Sequence, residues 1–63
     1  MSPRIGQRVR RTAPHKLIPD GMLGTIDVVH EDGVDFWVVT DEGGFCGWTS
    51  FDQWVPIVAE TDA

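Results

Sequence analysis

The chain of 63 residues has no tyrosine, a single cysteine, and no lysine or arginine beyond position 16. One cysteine, Cys46, excludes an internal disulfide, so packing or a partner must hold the fold, and a reducing compartment is expected. No stretch approaches the ~18 apolar residues of a membrane-spanning helix. The segment from Met1 to Arg11 is charged but leads into no apolar run of signal-peptide length, so the expected location is cytoplasmic, with no membrane contact. No window keeps a helical spacing of three and four for more than a turn, which excludes a helical bundle. Size excludes a large enzyme pocket, because a chain of about 60 residues buries only about 60% of its unfolded surface.

What is present is the composition of a folding chain: 41% of residues are hydrophobic, and 3 Trp and 3 Phe bring large burial area for their number. Ten acids against five bases give a net charge of −5. These values describe one small acidic domain over residues 1–63, with an ordered core at 5–58 and frayed termini.

Alternating and β-branched patterns recur in short bursts punctuated by Gly, Pro and Asp, which predicts an all-β chain. Residues 6–11 read as a first strand in which Ile5 and Val9 share the inner face and the arginines point mostly outward. Pro14, Pro19 and Gly21 forbid a central strand between Thr12 and Met22, so this is a long loop that Leu17 and Ile18 can pin down. Residues 23–30 form the second strand, with Ile26 and Val28 directed to the core. The sequence Glu31-Asp32-Gly33 predicts a tight turn. In the third strand, residues 34–41, Phe36 and Val38 compete with Trp37 and Val39 for the inner face, and Phe36 and Val38 are favoured. Glu42-Gly43-Gly44 is a second hairpin turn, and residues 45–49 return as a fourth strand with Gly47 marking a bend or bulge. Ser50 and Gln53 have capping-box spacing, which fits one helical turn. Trp54 leads into a last strand, Val55 to Ala59, which Pro56 assigns to an edge.

This order of strand, long loop, three strands joined by tight turns, helical turn and short last strand resembles that of SH3-like small barrels. Gly21-Met22-Leu23-Gly24-Thr25-Ile26-Asp27-Val28-Val29 is similar to the G-x-x-G-T-V-x-x-V segment of the KOW-type and mind-bomb-type barrels. Val38 to Gly44 resembles their V-x-x-D-x-G hairpin, and Trp48 to Ile57 resembles their closing aromatic, short turn and final strand. Over residues 5–58 the resemblance implies an SH3-like five-stranded small barrel with one short helical turn before the last strand. Related barrels bind peptides, nucleic acids or subunits of larger assemblies. The proline-peptide subclass is a poor match, since its acidic, tyrosine-rich first loop has no counterpart here.

Three groups of residues are candidates for partner binding. Arg8, Arg10 and Arg11 lie in a basic first strand able to contact phosphate or an acidic protein, or to pair with acids on adjacent strands. Glu31, Asp32, Asp35, Asp41 and Glu42 cluster at the two hairpin turns as a negative rim, the device that inhibitors of phage type use to mimic nucleic acid, or as plain solubility chemistry. Trp37, Trp48 and Trp54 exceed what so small a core easily encloses and could form an aromatic platform, with Trp37 the leading candidate for exposure.

Catalysis and metal binding have little to stand on. Cys46, His15 and His30 are scattered without C-x-x-C or H-x-x-x-H spacing, and Gly43-Gly44 lacks the lysine and helix of a phosphate loop. No catalytic residue, metal or cofactor is therefore expected. The expectation is a non-enzymatic protein–protein interaction module, monomeric or weakly homo-oligomeric, of the kind found among small acidic regulators or inhibitors of bacteria and phages. A nucleic-acid-associated barrel using the basic first strand is a less favoured alternative, because a net charge of −5 repels phosphate. A structural or assembly subunit is the third reading.

Overall fold

The computed structural model describes residues 2–57, and the expected frayed tail, with Val58 and Ala59 of the last strand, lies outside them. Five antiparallel strands form one curled sheet, a half-barrel: β1 (Arg8–Arg11), β2 (Leu23–Val29), β3 (Phe36–Thr40), β4 (Phe45–Thr49) and β5 (Trp54–Pro56). Their spatial order is β4-β3-β2-β1-β5, so consecutive strands are neighbours except where β5 crosses to pair with β1. The all-β expectation and the five strands hold, with the first three strands shorter than predicted and the last beginning one residue earlier, at Trp54.

The concave face holds Val9, Ile26, Phe36, Val38 and Trp54, all fully buried, and Ile18 from the long loop closes it. Phe36 and Val38 therefore point inward as favoured, and Pro56 lies on an edge strand. Ile18 pins the loop, whereas Leu17 is exposed. Ile5 does not share the inner face with Val9: it is exposed in a turn closed by Gln7 N–H donating to Arg4 O at 3.1 Å, ahead of β1.

Two bulges redirect side chains. In the β2–β3 ladder Ile26 pairs with Val38 but Val28 pairs with Trp37, so Asp27 is an extra residue that reverses the alternation. Val28 thus turns outward, against expectation, and Val29 packs on the core in its place. A second register shift lies between Phe36 and Val38, opposite Gly47 and Trp48. Gly47 marks this bulge as predicted.

The hairpins show how short polar segments fix register. Gly43 has φ +96°, its N–H donates to Thr40 O at 3.0 Å, and Thr40 N–H donates to Gly44 O at 2.8 Å. That is a type I turn followed by a left-handed bulge residue, a position glycine occupies without strain. The β2–β3 turn is longer than the tight turn predicted, because Asp32 Oδ1 accepts from both Val34 N–H (2.8 Å) and Asp35 N–H (3.0 Å) and so holds a four-residue loop.

The capping box does not form. Gln53 N–H donates to Ser50 O at 3.0 Å, closing a single turn, but the Gln53 side chain accepts from the Thr49 hydroxyl at 2.6 Å instead of reaching the Ser50 amide. Among the described residues there is no helix.

Gly24 lies where β2 meets β3 at close quarters: a Cβ there would stand 2.6 Å from Val38 Cγ1 and 2.9 Å from Val39 O. A backbone oxygen cannot yield as a side chain can. Gly24→Ala is expected to cost about 1–3 kcal/mol, the usual range for overpacking. Gly44→Ala, whose Cβ would meet only Thr40 Oγ1 at 3.6 Å, is expected to leave the urea midpoint nearly unchanged. Equal midpoints for the two variants would contradict the close approach.

Candidate functional site

The convex face is where the chain places side chains that its core cannot take. Trp37 on β3 stacks on Phe45 of β4, with centroids 5.2 Å apart and planes 18° from parallel. It meets Trp48 edge to face at 5.7 Å, and Trp48 in turn meets His30 edge to face at 5.1 Å. The row exists because Val39 and Trp37 alternate outward from Phe36 and Val38, while Gly47 leaves room for the Trp37 ring, whose nearest atom would lie 3.7 Å from a Cβ there. Phe45 is 66% and Trp48 53% exposed, whereas Trp37 is half-buried between them. Val28, Val39 and Leu23 extend the apolar surface across β2 and β3.

The platform predicted from three tryptophans is thus composed differently. Trp54 is fully buried and belongs to the core, not to a surface. Phe45, which sequence reasoning did not single out, takes its place beside Trp37 and Trp48. Its signal was available, since Phe45 precedes a bulge and has the outward parity of Val39, its partner across the β3–β4 ladder.

The basic residues of β1 do not form a strip. Arg8 reaches across β2, donating from Nη1 to the Thr25 hydroxyl (2.8 Å) and to Asp41 Oδ1 (2.8 Å), and from Nη2 to Asp41 Oδ2 (2.6 Å). This is a bidentate pair, the stronger geometry for such ions. Arg11 shares the inward parity of Val9 and is only 3% exposed. Its Nε donates to Ala13 O at 2.8 Å and its guanidinium lies 5.5 Å from the Trp54 ring centroid, so it ties the long loop to the core. Among the described residues, Nη1 of Arg11 and Nε1 of Trp54 are buried without a hydrogen-bond partner. Arg10 alone of the three stands exposed and without a side-chain hydrogen bond among the described residues.

The acids divide between the two ends of β3. Glu31, Asp32 and Asp35 occupy the β2–β3 hairpin, and Asp41 and Glu42 the β3–β4 hairpin, so they flank the aromatic row instead of forming one rim. Two of them have assigned work. Hydrogen bonds from Arg8 hold the Asp41 carboxyl below its usual value, and the N–H groups of Asp35 and Val34 do the same for Asp32.

Cys46 is half-buried against the core, His30 Nδ1 accepts from Asp32 N–H at 3.2 Å, and His15 Nδ1 accepts from Leu17 N–H at 3.0 Å. Among the described residues no three metal-ligating side chains are grouped. Compared with protein-family models, curated proteins and solved structures, the chain gives no match.

Two tests follow from these placements. Trp54→Ala should cost about 3–5 kcal/mol in urea denaturation, Trp48→Ala within about 0.5 kcal/mol, and Trp37→Ala a value between them. Trp37, the leading candidate for exposure from sequence, is half-buried, and Trp48 is the most open of the three. A Trp48 variant as unstable as the Trp54 variant would remove the exposed row.

The second test concerns pH. A carboxyl whose folded value is depressed stabilises the fold above its unfolded value, and that stabilisation is lost as pH falls through the folded one. Asp41 and Asp32 should therefore titrate, by carboxyl carbon NMR, below the ordinary range of about 3.9. Arg8→Met should return Asp41 toward that range and leave Asp32 in place. An unmoved Asp41 would show the pair to be idle.

Proposed function

We propose that this chain is a non-enzymatic interaction module of the SH3-like small-barrel type, binding a protein segment through its convex aromatic face. The observation that carries the reading is the exposed row of Phe45, Trp37 and Trp48, with Phe45 66% and Trp48 53% open to solvent. Large aromatic rings on a surface bind well because they bring much apolar area with few rotatable bonds. The strand order β4-β3-β2-β1-β5 and the long loop after β1 support the small-barrel assignment.

Nucleic-acid binding through β1 receives less support. Arg8 is engaged by Asp41 and Arg11 is buried, so Arg10 is the one member of that cluster left to meet a phosphate. Acids at both ends of the aromatic row repel a polyanion.

A random-peptide display library selected against the chain tests the reading. Enriched peptides should lose about tenfold or more in affinity when Phe45→Ser and Trp48→Ser are combined, with the urea midpoint nearly retained. Peptides that bind this double variant as tightly as the parent would overturn the assignment of the face.

A further inference from the structure

We propose that the open edge of β4 takes up an extended, basic segment of a partner protein as a sixth strand. The proposal rests on the interaction reading above and specifies how the partner is held. The sheet ends at β4 on one side and β5 on the other. Edge strands are normally blunted by proline or charge, and β5 carries Pro56. In contrast, β4 reads Phe-Cys-Gly-Trp-Thr, with neither proline nor charge.

Its backbone is set out for pairing. The bond from Thr40 N–H to Gly44 O and the Val38–Cys46 register fix the alternation of the hairpin ladder. In an antiparallel ladder residues alternate between facing the partner strand and facing away, so ahead of the bulge at Gly47 and Trp48 the N–H and C=O of Phe45 point away from β3. Among the described residues no backbone hydrogen bond from outside the sheet reaches Phe45–Thr49.

The surroundings choose the partner's chemistry. At the start of β4 a groove of about 260 Å³ runs between Phe45, Leu17, Ile18 and Met22, with Glu42 among the residues that line it. Such a groove suits a lysine or arginine whose aliphatic stem lies on apolar walls while its head meets a carboxylate. Beyond the other end of β4 comes Asp52, and the loop holding Glu31, Asp32 and Asp35 adjoins His30, which touches Trp48. Against these acids the loop that forms one groove wall brings a single lysine, Lys16. Of the arginines on β1, Arg8 reaches the β3–β4 hairpin but is taken up there by Asp41, and Arg10 and Arg11 belong to a strand three places from β4 in the sheet. A second copy fits poorly, because antiparallel β4-to-β4 pairing would set Glu42 of one copy against Asp52 of the other.

A synthetic peptide of about seven residues, a typical strand length, alternating lysine and valine, tests the proposal on the intact chain. Amide hydrogen exchange at Phe45 should slow about tenfold or more at saturation, as a newly made hydrogen bond protects it. Affinity should fall about tenfold between low and moderate salt, and a glutamate–valine peptide should bind at least about tenfold more weakly. A counterpart N-methylated at every residue should also lose about tenfold or more, since it cannot donate to the edge.

Equal binding by the methylated peptide would overturn strand addition while leaving recognition by the aromatic face intact. That second reading is judged separately by the Phe45→Ser, Trp48→Ser variant. Equal binding by the glutamate–valine peptide would overturn the basic preference. Unchanged exchange at Phe45 with the lysine–valine peptide would overturn the proposal outright. Protection of the Phe45 amide without peptide, accompanied by a concentration-dependent rise in mass, would give the edge to a second copy and overturn it too.

Discussion

Trp54 and five aliphatic or aromatic neighbours fill the concave side of the sheet, and the small volume they occupy governs where every other large side chain goes. A sheet of five short strands encloses one such cluster. Trp54 sits on the last strand, so the core is complete only when β5 crosses back to β1, where Trp54 pairs with Arg11. The Arg11 guanidinium lies against the ring and, among the described residues, makes no ion pair, so its charge rests on the carbonyls of the long loop and on the π face. One contact thus joins the core, the closing strand and the loop. With that interior full, Trp37, Phe45 and Trp48 have only the convex face left. Their packing on one another hides part of their area, and the remainder is a surface fit for contact.

Much of this fold was legible because two-residue periodicity and turn chemistry are local. Phe36 and Val38 inside, Gly43 in a turn, Gly47 at a bulge and Pro56 on an edge all follow from what each residue type can do with its own φ, its amide or its side chain. The reversed facing of Val28 has a specific cause. A bulge adds a residue without changing composition, so alternation read across it is wrong from that point onward. Val28 was assigned inward by counting from Ile26, and the extra Asp27 turned it out. An aspartate in mid-strand was the one local hint. Tertiary context also decided Gln53, whose side chain had a hydroxyl on Thr49 within reach and left the capping box unmade.

The candidate site was less legible than the fold, for a different reason. Which tryptophan is buried depends on how much core the whole sheet encloses, and that is a property of all five strands. Parity nevertheless held information that was left unused. Arg11 follows Val9 by two residues and so shares its inward face, which would have removed it from the basic strip. The fate of Arg8 could not be read in this way, because its partner Asp41 lies 33 positions away and becomes a neighbour only through the β1–β2–β3 order.

That strand order also converts a separation of charge along the chain into a separation in space. Bases confined to the first 16 positions enter the sheet only on β1, and β4, three strands away, has acids at both ends. An uncharged, aromatic edge strand is ordinarily an invitation to pair with any other chain, its own copies included. Charges flanking such a strand restrain that tendency without occupying the strand itself, because like charges meet when two edges align. The arrangement is therefore selective in sign: Glu42 and Asp52 oppose an acidic strand or a second copy and favour a basic one. A lysine inside β4 would have blunted the edge against every partner. Acids beyond its ends leave the outward Phe45 amide open while restricting what can approach it.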